Sequence, residues 1–269
     1  MRAVSFLKAH SVPGTDVAVF VGDYPYRRVP HSTPQWLLQQ MDRLDIEWAW
    51  VSHLPSFLYK DPAQGNVVLE EIVSRHTDRF TPVPVVHPGL PQWEDDLNRA
   101  VSLGAPAVRT FPIHQGLDPA GGAMRVLAAA AGATGIPLLL TVKLEDVRQR
   151  HPLDVAPIFP AAAVRTLVRS DPDVKLVVTH ADRSFVEEVH FGLTAEESVR
   201  LLWEISWIWG PPANDLALLL ETVGVERFTF GSGMPLRVPD STVAKLDLLD
   251  LTDRERRLIM GENLDQWAG

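Results

Sequence analysis

Histidines and charged side chains recur at the ends of the predicted β-strands of this chain. These residues are His53, His87, Arg109, His114, Lys143, Glu145, His180, Asp182 and Glu204. A histidine with a near-neutral pKa can take a proton from water or substrate when a carboxylate orients its second ring nitrogen. We therefore interpret His180, with Asp182 or Glu204 beside it, as the candidate catalytic group.

The basic residues of this set are suited to binding an anion. Arg109 and Lys143 belong to neighbouring strands, and at the rim of a site they would hold a substrate carboxylate or a developing oxyanion. The other predicted substrate-binding residues are His53, His87 and His114. The alternative is that Arg109 pairs with Glu204, and Lys143 with Glu145, so that ion pairs close an inactive site. Under the first interpretation we expect an anionic small-molecule substrate.

Eight short apolar segments of β type alternate with helical patterns. They are Asp16–Val21, Trp48–His53, Thr81–His87, Ala107–Phe111, Pro137–Val142, Lys175–His180, Leu202–Ser206 and Arg227–Ser232. This alternation is typical of a parallel sheet with crossover helices, and about 250 residues is the usual size of a (β/α)₈ barrel. We predict an α/β fold, a single TIM-barrel domain over residues 1–269. An open Rossmann-type sheet is less favoured because G-x-G-x-x-G is absent.

Helix signals lie between these segments. Thr33-Pro34 begins a helix with apolar residues at three- and four-residue spacing, and Trp93–Leu103 ends at Gly104. The other predicted helices are Met124–Gly135, Asn214–Thr222 and Thr252–Met260. Trp203 and Trp207 belong to strand seven, where outward positions would pack both indoles against helices.

Composition excludes several classes of function. The net charge of −9 argues against a nucleic-acid partner and against docking on anionic lipid. The absence of cysteine excludes disulfides, thiolate metal sites and a cysteine nucleophile. The first twenty residues lack the unbroken apolar run of a signal peptide, and no window resembles a membrane span. We expect a cytoplasmic protein without a membrane partner, with a homodimer as an open alternative.

Four phrases of the chain resemble one family in order and spacing. They are Met41–Leu44, Leu176–His180, Val223–Ser232 and Gly261–Leu264. In these phrases the chain is similar to the amidohydrolase-related family. The resemblance implies a (β/α)₈ barrel with one or two divalent metals. It also implies relatives that hydrolyse lactones, amides and esters or decarboxylate aromatic and related acids.

Other residue types occupy most of the positions that carry metal ligands in that family. These positions correspond to Ala18, Phe20, Arg109, Thr141 and Gly233. Only His180 matches a ligand, whereas a catalytic zinc needs about three protein ligands. We therefore expect no bound metal and no cofactor, with a relocated metal near His180 as the alternative.

These observations predict a metal-independent hydrolase of a small carboxylated substrate such as a lactone. Metal-independent lactone hydrolysis occurs in the wider family that the chain resembles. Two alternatives stay open, because one fold carries many functions. The first is a non-catalytic barrel that binds a ligand or serves as a partner subunit, and the second is a decarboxylase of the same family.

Overall fold

The computed structural model describes residues 14–265 and Trp267; the first part of the segment inspected for a signal peptide, residues 1–13, lies outside these residues. Within the described part, eight strands form in chain order. They are β1 Gly14–Val21, β2 Ile46–His53, β3 Phe80–Pro82, β4 Val108–Thr110, β5 Leu138–Thr141, β6 Leu176–Thr179, β7 Leu201–Glu204 and β8 Phe228–Thr229. Each predicted strand corresponds to one of them.

The strands close into a parallel barrel. β1 to β3 and β4 to β8 pair in chain order, and a parallel bridge between Val85 and Arg109 joins the two groups. The barrel closes where the Val17 amide donates to the Phe230 carbonyl at 3.2 Å. The (β/α)₈ barrel prediction is therefore confirmed. The carboxyl ends of these strands meet at one rim, here called the barrel mouth.

The last six strands, β3 to β8, are shorter than the sequence predicts, and in β3 and β7 the cause is local. β3 ends at Pro82, because Pro82 and Pro84 each lack the N–H that a regular ladder needs. β7 ends at Glu204, since the Glu204 carboxylate itself accepts the backbone N–H of Ser206. Here a side-chain carboxylate accepts the backbone hydrogen bond that a neighbouring strand would otherwise accept.

Helices surround the barrel and follow most of the predicted boundaries. They are α1 Pro34–Arg43, α2 Ala63–Val73, α3 Trp93–Ser102, α4 Gly122–Thr134, α5 Ala161–Ser170, α6 Arg183–His190, α7 Ala195–Ser198, α8 Asp215–Val223, α9 Asp240–Leu248, α10 Asp253–Arg257 and α11 Asn263–Asp265. The Thr33 hydroxyl caps α1, and Thr252 forms a capping box with Glu255 at α10. Among the described residues, no helix combines the length and apolar character needed to cross a membrane.

The barrel interior is apolar at its base and polar above it. The basal layer contains Val17, Val83, Ala107, Leu139, Val177 and Leu202. One pleat further along the strands lie buried polar residues, namely Ser52, Arg109, Thr141, Thr179 and Glu204. Because alternate strand residues point to the same face, these side chains project into the barrel toward its mouth.

Candidate functional site

Arg109 of β4 lies inside the barrel rather than at its rim. Its side chain is fully buried, and Nε donates to Ser52 Oγ at 2.9 Å while Nη1 donates to Thr141 Oγ1 at 2.6 Å. The guanidinium carbon stands 4.5 Å from the centroid of the Phe20 ring. Burial lowers the pKa of Arg109 to about 9, which leaves the group charged at neutral pH. The rim position predicted from sequence is therefore wrong.

Two properties of Arg109 indicate that its site is suited to binding an anion. Nη2 is buried without a hydrogen-bond partner, and within the described residues no carboxylate forms an ion pair with this side chain. The predicted Arg109–Glu204 ion pair is thus absent. The Glu204 carboxylate acts on this guanidinium only from beyond ion-pair distance, and a buried charge without a direct partner costs about 3–5 kcal/mol. The site therefore favours a bound anion.

The hydroxyls next to Arg109 form one hydrogen-bonded row. Thr141 Oγ1 accepts from Arg109 and lies 3.1 Å from Thr179 Oγ1. Thr179 in turn donates to the Leu140 carbonyl at 3.4 Å. Guanidinium hydrogens are donors only, so the row has one direction, from Arg109 to that carbonyl. It positions the guanidinium against β5 and β6.

His180 follows β6 at the mouth, and its ring is fixed by a backbone group. Nδ1 lies 2.8 Å from the Lys143 carbonyl oxygen and must therefore donate, which leaves Nε2 as the unprotonated nitrogen. Nε2 is buried and has no hydrogen-bond partner. Burial, together with the nearby charges of Arg109, Arg237 and Lys143, lowers the pKa of His180 to about 3. The imidazole is neutral at physiological pH, with one free lone pair.

The two carboxylates predicted to orient this imidazole have other partners. Glu204 accepts the backbone N–H of His180 at 3.0 Å, and it also accepts the amide and the hydroxyl of Ser206. Asp182 caps α6 through the Phe185 amide and binds Lys143 Nζ at 2.6 Å. The predicted pairing of the His180 ring with Asp182 or Glu204 is wrong, because a carbonyl takes that place. Glu204 shapes the backbone on which His180 sits.

The predicted pairing of Lys143 with Glu145 is also wrong. Lys143 binds Asp182, and Glu145 binds Arg27 from the segment that follows β1. Lys143 stays at the mouth, where Nζ lies 4.9 Å from the centroid of the Trp207 ring.

Two further residues line the mouth, and neither was predicted as a site residue. Trp207 is buried over His180 at a ring distance of 5.8 Å, so its predicted outward packing is wrong. Trp203 does pack outward, edge-on to Phe185 of α6. Arg237, from the segment after β8, places its guanidinium carbon 4.5 Å from the Trp207 ring, and its Nε is buried without a partner. We call Phe20, Arg109, Lys143, His180, Trp207 and Arg237 the mouth cluster.

The other predicted substrate-binding histidines engage local partners. His53 is buried with Nδ1 2.9 Å from Ser56 Oγ, and His87 Nδ1 accepts the Gly89 amide at 3.1 Å. His114 packs edge-on to Phe57 at a ring distance of 4.8 Å, and its Nε2 lies 3.5 Å from Asp154. Their role in substrate binding remains a prediction.

His53 gives the protein a pH-dependent stability. Burial lowers the pKa of His53 to about 4, below the 6.5 of the unfolded chain. The unfolded state then binds more protons between these values, and stability falls as pH falls through that window. We expect wild type to lose about 2 kcal/mol relative to His53→Asn between pH 7 and pH 5, measured by urea unfolding. Parallel pH profiles of the two proteins would contradict this.

The mouth cluster does not fit the divalent metals that the family resemblance implies. The Phe20 ring projects inward between Arg109 and His180, 6.1 Å from the imidazole. Two guanidiniums stand where ligands would need to bind a cation, and His180 offers a single nitrogen. Within residues 14–265 and Trp267, no three histidine or acidic side chains are placed to hold a metal ion. The positive charge of the mouth cluster favours an anionic ligand instead.

The mouth is covered by the segments that follow β1 and β5. Arg27 binds Glu145, and Tyr26 stacks on His151 at 5.9 Å with an interplanar angle of 12°. A cavity of about 20 Å³ beside His114 and Lys143 has room for little more than one water. Because His180 is fully buried and does not line this cavity, we expect a substrate to reach it only when these two segments separate.

Solved structures of three enzymes share the fold of this chain. They are 2,6-dihydroxybenzoate decarboxylase from Rhizobium (14% identity, TM-score 0.71, covering 95% of this chain and 98% of the other), 5-carboxyvanillate decarboxylase from Sphingomonas paucimobilis (12%, 0.73, 96% and 99%), and dihydroxybenzoic acid decarboxylase from Polaromonas with bound manganese (12%, 0.74, 95% and 96%). No curated protein matches the chain. The sequence model of the amidohydrolase family matches residues 58–263, and the chain therefore belongs to the amidohydrolase family.

Proposed function

We propose that this chain is a metal-independent hydrolase of a small carboxylated ester or lactone bound at the mouth cluster. One observation carries the proposal. Arg109 Nη2 and His180 Nε2, a donor and an acceptor, are both buried without partners, and both side chains flank the Phe20 ring. Hydrolysis of such a substrate needs one group of each kind.

Arg109 supplies the charge that binds the substrate. Its guanidinium is held by Ser52 and Thr141, so little side-chain entropy remains to be lost when a carboxylate binds at Nη2. A charge-assisted hydrogen bond in such a dry site contributes about 1.5–3 kcal/mol. This contact sets the requirement for a carboxylated substrate.

His180 supplies the base. Nε2 accepts a proton from water as the water oxygen attacks the acyl carbon, and the tetrahedral intermediate then releases an alkoxide that takes this proton back. The products are an acid and an alcohol. The surrounding cations weaken the base in the empty site, and a bound substrate carboxylate offsets their charge. Substrate binding thereby raises the basicity of His180.

Hydrolysis suits this site better than the decarboxylation named for the similar structures. An arginine bound to a carboxylate stabilises that group in the ground state, whereas loss of carbon dioxide removes the charge. In hydrolysis, negative charge instead increases at the acyl oxygen, so the cations stabilise the transition state. The mouth cluster therefore favours hydrolysis.

The test compares a carboxylated γ-lactone with unsubstituted γ-butyrolactone, both in the presence of EDTA and with acid release followed in a pH-stat. We expect hydrolysis of the carboxylated lactone alone. His180→Asn should lower kcat by about 10²–10⁴-fold, because it removes the base. Asparagine tolerates the left-handed backbone at this position (φ 60°), and its amide replaces the donor to Lys143.

Three results would decide against the proposal. Loss of activity with EDTA would indicate a metal. Release of carbon dioxide from 2,6-dihydroxybenzoate would indicate a decarboxylase. If carboxylates raise the melting temperature but no lactone is hydrolysed, the chain is a non-catalytic binding barrel.

A further inference from the structure

Arg237 occupies space that a glycine leaves open. A Cβ built on Gly233 would lie 3.0 Å from Cδ of Arg237, so the bare backbone admits the arginine stem. Gly233 also has φ 73°, a left-handed conformation that suits glycine. The resemblance places a metal-binding carboxylate at this position in the family. Here the same place accommodates the aliphatic stem of an arginine, so a cationic side chain replaces an anionic one in this part of the mouth.

Two cations at the mouth form no direct ion pair among the described residues, although the Glu204 carboxylate acts on both from longer range. Lys143 is paired with Asp182, and Lys245 donates to the carbonyls of Ile205 and Ser206 at 2.9 and 2.8 Å. Arg109 and Arg237 each keep a buried nitrogen without a partner, and within the described part of the chain neither forms an ion pair. One substrate carboxylate can neutralise only one of them.

The two arginines differ in setting. Arg109 is fully buried and fixed by two hydroxyls, whereas Arg237 is half-buried and lies flat on the indole of Trp207. The same indole packs over His180. Arg237 is thus on the side of the cluster where the base acts, and Arg109 is at the bottom.

We propose that Arg237 is a second anion-binding residue, which binds the acyl oxygen as it gains negative charge and then holds the new carboxylate of the product. This inference rests on the proposed function. Hydrolysis of a carboxylated lactone consumes one water, and the new carboxylic acid then releases a proton to solvent. The monoanion thus becomes a hydroxydicarboxylate, with the second charge on the oxygens of the former acyl group. The site is therefore complementary to a dicarboxylate, one group on Arg109 and the other on Arg237.

The experiment measures Kd by calorimetry for pairs of equal chain length: succinate with butyrate, glutarate with valerate, and adipate with hexanoate. We expect at least one dicarboxylate to bind about tenfold or more tightly than its monocarboxylate, as one added charge-assisted contact implies. Arg237→Gln should reduce this ratio to about one while the monocarboxylate Kd changes less than about threefold. Arg237→Lys should retain part of the preference. Arg75→Gln, which removes an exposed arginine paired with Glu71, is the matched control.

Each outcome has a separate meaning. Equal affinity for mono- and dicarboxylates in wild type overturns the assignment of Arg237, and this measurement does not depend on any variant folding. A preference that persists in Arg237→Gln overturns it as well. If no carboxylate binds wild type, or if Arg109→Met binds as well as wild type, the proposed function itself fails.

Discussion

Replacing Arg109 by methionine is expected to leave the ligand-free protein at least as stable as wild type, while stabilisation by carboxylates disappears. Methionine fills a similar volume, and it removes a buried cation that forms no direct ion pair among the described residues. Buried charges replaced by apolar residues often give proteins that are equally stable, or more stable by about 1–4 kcal/mol. Ser52 still donates to Val83, and Thr141 still donates to Thr179, so neither hydroxyl is left without a partner.

This experiment distinguishes a role of Arg109 in ligand binding from a role in the stability of the fold. Thermal unfolding with and without glutarate gives both quantities for each protein, because a ligand that binds the native state raises its melting temperature. Arg75→Met, at an exposed position just after the end of α2, should keep the ligand response. A loss of about 2 kcal/mol or more in the ligand-free Arg109→Met protein would make Arg109 a structural residue instead.

The second large effect is expected at Glu204. Glu204→Gln should destabilise the protein by about 2–4 kcal/mol in urea unfolding at pH 7. The carboxylate accepts the amides of His180 and Ser206 and the Ser206 hydroxyl, and a glutamine NH₂ would turn a donor toward one of these donors. Burial raises the pKa of Glu204, and the nearby charge of Lys245 opposes that shift.

A double variant separates charge from hydrogen bonding. Adding Lys245→Met to Glu204→Gln removes the second buried charge, so we expect part of the stability to return as a favourable coupling energy. Glu71→Gln, an exposed partner of Arg75, should change stability by less than about 0.5 kcal/mol. A Glu204→Gln protein as stable as wild type would show that the three accepted hydrogen bonds do not stabilise the fold.

The sequence predicts the frame of this site better than its contacts. The apolar strand segments and the helix caps at Thr33 and Thr252 follow local rules, so the barrel, the place of Arg109 on β4 and that of His180 after β6 could be derived. The replacement of the family's metal ligands at Phe20 and Gly233 could also be predicted from the sequence, because it depends on residue type alone.

The partners of these residues could not be derived in the same way. The pairing of Lys143 with Asp182 and of Glu145 with Arg27 depends on the paths of loops, which carry no periodic pattern. Arg237 lies on such a loop, five residues after Ser232, the end of the predicted eighth strand. Its one local signal was the glycine at 233, whose missing side chain leaves the necessary space.

The row of hydroxyls behind Arg109 limits where protons can travel. A proton wire must be able to reverse every donor and acceptor along it, but this row begins at a guanidinium that only donates and ends at the Leu140 carbonyl that only accepts. The hydrogens of Thr141 and Thr179 are therefore committed, and their oxygen dipoles point toward the cation. A proton taken up by His180 cannot leave along this row through the barrel. It must return to the leaving group or exit through the mouth, which links its release to the opening of the covering segments.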